Sequence, residues 1–157
     1  MDDPIAFFLT VTSYGTWLPG DGRGWFEHRH GWKLPDPARE REAKARMTDD
    51  ACRFTLEQRA LVESQIAETC MHRGWTLHAV NCRSNHMHAV VTAPGTTPEK
   101  VRIDLKAWCT RRLTESDPTR AEWWTDRGSV RWVFDEQSLD TVMQYVNEAQ
   151  DRMDRGK

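Results

Sequence analysis

The sequence predicts an α+β domain, an antiparallel sheet covered by helices, with one further helix at the C-terminus. Three observations predict it. Aromatic and β-branched runs at 5–13, 75–82, 86–92 and within 123–134 have strand character. Segments 55–73 and 136–153 carry apolar residues at helical spacing, and Pro98 opens a third helix that runs to about Glu115. The two kinds of element follow in the order strand, helix, strand, strand, helix, strand, helix. The first six match the split β-α-β-β-α-β order of ferredoxin-like folds.

The elements are read in chain order. Ile-Ala-Phe-Phe-Leu-Thr-Val-Thr-Ser at 5–13 reads as a central strand. Residues 14–25 hold four Gly and one Pro, which marks a loop. Residues 26–50 are polar, mixed in charge and contain Pro35 and Pro37. Together, residues from about 14 to 50 read as a loop or insertion with a short helix at Ala38–Met47. In the 55–73 helix, Thr55 is the expected N-cap and Gly74 the expected C′ residue. Its apolar face is read as Leu56, Ala60, Ala67 and Met71, flanked by Val62, Ile66 and Cys70. Strands at 75–82 and 86–92 pair antiparallel around a turn at Arg83–Asn85. The Trp-rich stretch 123–134 contains Asp126-Arg127-Gly128, read as a turn between short strands. The closing helix buries a stripe of Leu139, Val142, Met143, Val146 and Met153. No internal repeat or linker divides the chain, so residues 1–157 are expected to form a single domain.

Composition narrows the function. The chain has 157 residues, 29% charged and 38% hydrophobic, enough for one domain with a sizeable core. No apolar run approaches the length of a membrane span, and no basic region followed by an apolar stretch opens the chain, so a cytoplasmic location without membrane attachment is expected. The net charge of −2 excludes a globally basic nucleic-acid binder but leaves room for a local basic track. The four cysteines, Cys52, Cys70, Cys82 and Cys109, form no C-x-x-C pair and are expected as reduced thiols. Eight tryptophans stand against two tyrosines, so any tyrosine chemistry falls to Tyr14 or Tyr145.

The sharpest local signal is Asn85-His86-Met87-His88-Ala89-Val90-Val91. On a strand, His86 and His88 project to one face while Met87, Ala89 and Val91 point to the other. Two imidazoles side by side on a rigid strand suit a divalent metal; the plainer reading is a pair of surface or cross-strand histidines. His28/His30 repeats the spacing in the polar insertion without a flanking strand, and no role is assigned to it. Tyr145 falls at the border of the apolar stripe on the last helix, where a tyrosine alone reads as a core-edge residue with a wet hydroxyl. Gln150 falls in the middle of that stripe. A buried amide needs partners, either sheet backbone or a metal or substrate. Glu148 faces the opposite side and ranks below Gln150. The 98–115 helix carries Lys100, Arg102, Lys106, Arg111 and Arg112, read either as a solvated face or as a phosphate-binding strip. The tryptophans could pack the core and loops or stack on unpaired bases.

Taken together, these residues resemble a known family. A strand with His-Met-His preceded by Asn85, then some sixty residues later a helix with Tyr145-Val146 and a nearby Gln150, resembles the single-tyrosine transposases of the HUH endonuclease superfamily. Thr-Trp-Leu-Pro-Gly-Asp at 16–21 resembles the corresponding loop of its REP-associated tyrosine transposase branch. The resemblance implies a ferredoxin-like domain that cuts and rejoins single-stranded DNA next to hairpin or palindromic ends through a 5′-phosphotyrosine, in the cytoplasm of a bacterial-type cell.

It implies His86 and His88 as metal ligands, Tyr145 as nucleophile, and Mg²⁺ or Mn²⁺ as the metal. In the family the third ligand usually stands four positions after the tyrosine. That position is Ala149 here; Gln150 stands one later, about 140° from Tyr145 on an ideal helix. A phenol in water has a pKa of about 10, so a tyrosine nucleophile needs assistance near neutrality. The basic helix would contact the DNA backbone, and Trp17–Asp21 reads either as a turn packed by Trp17 or as a contact to the DNA end. A non-catalytic relative that binds hairpin or single-stranded DNA, and a metal-binding module unrelated to DNA, are the alternatives. Both a monomer and a homodimer agree with the sequence.

Overall fold

The computed structural model describes residues 3–27 and 30–148, and at residues 126 and 127 the backbone alone. Strand β1 is Ala6–Ser13, β2 Trp25–Glu27 and β3 Gly31–Lys33. Helix α1 is Pro37–Ala45 and α2 Leu56–Arg73. Strands β4 (Thr76–Cys82) and β5 (His86–Thr92) follow, then α3 (Pro98–Ser116), β6 (Trp124–Val133) and α4 (Glu136–Glu148). Four strands form one antiparallel sheet in the order β4-β5-β1-β6, the arrangement that a split β-α-β-β-α-β chain produces. The first strand is indeed central.

Alternation along β1 divides the molecule into two layers. Phe7, Leu9 and Val11 point into a core shared with Met87, Ala89 and Val91 of β5, Val62, Ile66 and Cys70 of α2, and Val101, Leu105, Cys109 and Leu113 of α3. Phe8, Thr10 and Thr12 point the other way, as period-two geometry requires. There α4 covers part of the sheet, packing Leu139, Val142 and Val146 on Ala6, Ala79, Val90 and Val133. Each fully buried aliphatic side chain contributes about 1.5–3 kcal/mol.

Local chemistry sets the helix ends. Thr55 and Gln58 form a reciprocal capping box, with the Gln58 N–H donating to Thr55 Oγ1 (3.1 Å) and the Thr55 N–H to Gln58 Oε1 (2.9 Å). Gly74 closes α2 in the left-handed region at φ 74°, as a C′ glycine does. The buried stripe of α2, however, is Val62, Gln65, Ile66, Thr69 and Cys70, while Leu56 and Met71 are exposed. The residues read as flanking are the core, because Gln65 and Thr69 satisfy each other (3.0 Å) and join the stripe.

Three further features differ from the sequence reading or add to it. Asp126-Arg127-Gly128 is not a turn: β6 runs unbroken, with the register against β1 shifting between Val11 and Ser13. Gly128 is there because a Cβ would collide with the Thr10 carbonyl, so the strand comes closer than any other residue allows. The polar segment after the first loop folds into the two-stranded β2–β3 sheet before α1. The four cysteines are buried free thiols, as expected. Among the described residues, no helix is long and apolar enough to cross a membrane.

Candidate active site

The site grows from the pairing register of three strands. Antiparallel pairing sets Thr12 opposite His86, Thr10 opposite His88 and Phe8 opposite Val90 on the face away from α2 and α3. Pairing of β4 with β5 sets Asn81 opposite His88. Val146, fully buried, fixes the roll of α4, and the Asn81 side-chain amide donates to the Val146 carbonyl (2.7 Å). Tyr145, the residue before it, is therefore held at the edge of the apolar stripe beside His88. Its ring centroid lies 5.7 Å from that of His88 and 6.0 Å from that of Phe8, and the two imidazoles lie 4.6 Å apart.

The histidines are oriented by neighbours. His86 Nδ1 meets Asn85 Oδ1 at 2.7 Å. An amide oxygen only accepts, so the proton sits on Nδ1 and the lone pair on Nε2. His88 Nδ1 meets Thr10 Oγ1 at 2.8 Å. Burial first, then the charges of His86 and Arg83, push the His88 imidazole down to about 4, so it is neutral at pH 7. Arg83 was not foreseen from the sequence. Its positive charge reaches His88, and its Nε is buried without a hydrogen-bond partner. Thr10, Asn81 and Phe8 were also missed, because only strand pairing brings them to the histidines.

Two neutral-capable imidazoles, each with its Nδ1 held by an oxygen, suit a borderline divalent ion. Among the described residues, no group of three His, Cys, Asp or Glu side chains is arranged to hold a metal. A third protein donor would have to be an amide or lie elsewhere. Glu148 is exposed and accepts from Gln144 Nε2 at 3.3 Å on the outer face of α4. Gln150, like Ala149, Met153 and His28, lies outside the described residues. Tyr14 is otherwise engaged: its hydroxyl accepts the Thr48 N–H (3.0 Å).

The basic helix lies across the sheet from this site. Through Val101, Leu105, Cys109 and Leu113, α3 packs on the face opposite the histidines. Lys100 is bonded to Asp104 (2.9 Å), Arg112 to Gln65 (3.0 Å), and Arg111 stacks on Trp108 (4.6 Å). Only Arg102 and Lys106 reach the β6 edge: Arg102 Cδ packs beside Gly128, and Lys106 Nζ donates to the Thr125 carbonyl (2.7 Å). Asp21 is held in an ion pair with Arg23 (2.8 Å), whose guanidinium also lies over the Trp17 ring (4.2 Å). Trp17 donates its Nε1–H to the Gly24 carbonyl (2.8 Å) and lines a groove of about 760 Å³ that begins at Thr10 and Thr12.

Comparison with known proteins places this geometry. A search of curated protein sequences finds no match. Among solved structures, the fold resembles that of a REP-associated tyrosine transposase bound to a REP hairpin, with a TM-score of 0.54 at 13% identity. The similarity covers 93% of this chain but 66% of that one, so the chain spans somewhat less than two thirds of its length. A second structure, a candidate transposase from Deinococcus radiodurans R1, aligns with a TM-score of 0.49 at 14% identity over 92% of this chain and 89% of its own. A family profile described as "Transposase IS200 like" matches residues 49–149, which include the His-Met-His strand and the Tyr145 helix, and the chain thus belongs to the IS200-like transposase family.

Proposed function

We propose that the protein cleaves and rejoins single-stranded DNA next to a hairpin, with Tyr145 as the nucleophile and His86 and His88 as metal ligands. The observation that carries this is the convergence of both histidines and Tyr145 on one sheet face, with His88 and Tyr145 ring centroids 5.7 Å apart. Membership of a transposase family and the likeness to a hairpin-bound relative support the reading.

The chemistry follows from charge. Attack on a phosphodiester brings an electron-rich oxygen toward a negatively charged group. A Mg²⁺ or Mn²⁺ ion bound by His86 Nε2 and His88 Nε2 would supply Lewis acidity toward a non-bridging phosphate oxygen. Asn85 holds the His86 ring and Thr10 the His88 ring, each through Nδ1. Arg83 adds positive charge beside them, and its buried, unpartnered Nε–H is a donor suited to an anion. The Tyr145 oxygen forms a bond to phosphorus and loses its proton to solvent. The bond from phosphorus to the 3′-oxygen breaks, and that oxygen leaves as a 3′-hydroxyl after taking up a proton. The 5′-phosphate stays on Tyr145 as an ester, so another 3′-hydroxyl can reverse the step and rejoin strands without a nucleotide cofactor.

The test is covalent trapping. Protein is mixed with labelled single-stranded DNA flanking a hairpin and Mn²⁺, beside Tyr145→Phe and a chelator control. A shifted band that survives denaturation and disappears in both controls is expected. Binding without any such band across several hairpins would replace this reading with that of a non-catalytic DNA-binding relative.

A further inference from the structure

We infer that the groove between the sheet and the β2–β3 hairpin is a stacking subsite for unpaired nucleobases of the strand that enters the His–Tyr site. This assignment rests on the proposed DNA reading for its direction but on separate residues for its chemistry. The groove shares Thr10 and Thr12 with the histidine face and runs from them to Trp17, Phe26 and Trp32. Phe26 and Trp32 are direct cross-strand partners, so their rings stand on one face of the hairpin. They are 69% and 59% exposed, a degree of aromatic exposure that burial in this fold does not account for.

The wall is built in advance. Trp17 and Trp32 meet edge to face at 6.3 Å, and the Trp17 indole N–H is fixed on the Gly24 carbonyl. Gly24 adopts φ 85°, and a Cβ there would lie 2.7 Å from the Trp32 ring, so only glycine allows this contact.

The lining selects the occupant. Among the described residues that line it, the polar ones are Thr10, Thr12, Thr125 and Ser129, which present hydroxyls, and none is charged. Aromatic faces with neutral hydroxyls fit a planar heterocycle with hydrogen-bonding edges rather than a phosphate. Its volume of about 760 Å³ is that of a small-molecule site. A second cavity against the same loop is lined by Asp21, Glu40, Asp49 and Asp50 with Lys44, a lining that disfavours a phosphodiester chain.

The experiment measures binding of a fluorescent twelve-nucleotide oligothymidylate and of an abasic strand of the same length, in chelator, to the full chain and to Phe26→Ser and Trp32→Ala. Circular dichroism checks each fold. Base–aromatic stacking predicts that each variant binds oligothymidylate roughly five-fold or more weakly, while the abasic strand binds all three proteins alike. Equal weakening for both strands, or no weakening in either variant, overturns the subsite. Concentration-dependent dimerisation that Trp32→Ala abolishes, with oligothymidylate affinity unchanged, assigns the groove to a second copy of the chain and also overturns it. The trapping gel keeps the two proposals apart. Base-dependent losses without a covalent band leave the subsite standing and sink the nuclease. A covalent band with Phe26→Ser and Trp32→Ala both binding like wild type does the reverse.

Discussion

His88 makes the metal-free protein sensitive to mild acid. The imidazole is 6% exposed and titrates near 4, against 6.5 for the ordinary group. Burial is the larger cause, followed by the charges of His86 and Arg83. The sign follows from proton counting. As pH falls below 6.5 the unfolded chain protonates this histidine, while the folded chain waits until about 4. Between those values the unfolded state holds more protons, so stability drops as pH falls. At about 1.4 kcal/mol per pH unit the full loss is about 3 kcal/mol, complete near pH 4. Urea unfolding of wild type and His88→Gln in chelator, from pH 7.5 to 4, isolates this effect, because carboxylates titrate alike in both proteins. The expected result is a difference between the two proteins that is constant above pH 6.5 and changes by about 3 kcal/mol below it. A difference that stays flat across the range would refute the reasoning and mean that His88 is solvated or already paired when charged.

Other expectations concern separate parts of the fold. Thr10→Val removes the oxygen that holds His88 Nδ1 and is expected to weaken Mn²⁺ binding about 10- to 100-fold in calorimetric titration, with secondary structure retained; unchanged affinity would remove Thr10 from that role. Thr55→Ala breaks the capping box of α2 and is expected to lower stability by about 1 kcal/mol, read as a lower urea midpoint at an unchanged slope. Arg102→Ala and Lys106→Ala, at the β6 edge, should each reduce the salt dependence of single-strand binding by about one counterion. The same change at Arg111, on the far face, should leave it unaltered.

Much of the fold was legible because it is local. Thr55, Gln58 and Gly74 bound α2 through contacts within a few residues of each other. The stripe Leu139, Val142 and Val146 of α4 and the alternation of β5 repeat at periods set by backbone geometry. Errors arose where a choice depended on distant partners. Leu56 and Met71 of α2 are apolar at helical spacing, yet the sheet receives Val62, Ile66 and Cys70 instead. Asp126-Arg127-Gly128 carries turn residues, but β6 runs on through them, with Gly128 paired to Val11 and the register shifting before Trp124 pairs with Ser13. The β2–β3 hairpin is too short to show a period at all.

The site divides in the same way. Strand geometry puts His86 and His88 on one face and the helix stripe puts Tyr145 at its edge, but periodicity leaves plain structural readings open for all three, and their candidate roles come from the resemblance to single-tyrosine transposases. Their environment could not be read from the chain. Thr10 reaches His88 across 78 positions of sequence, and Asn81 reaches Val146 across 65. The side of the sheet on which the basic helix lies, opposite the histidines, is decided by which of its faces is buried. Periodicity and capping are short-range properties of the backbone, so the sequence by itself determined most of the elements and marked His86, His88 and Tyr145 as candidates. Register, burial and the charge felt by His88 depend on which surfaces meet, so only the tertiary structure decided them.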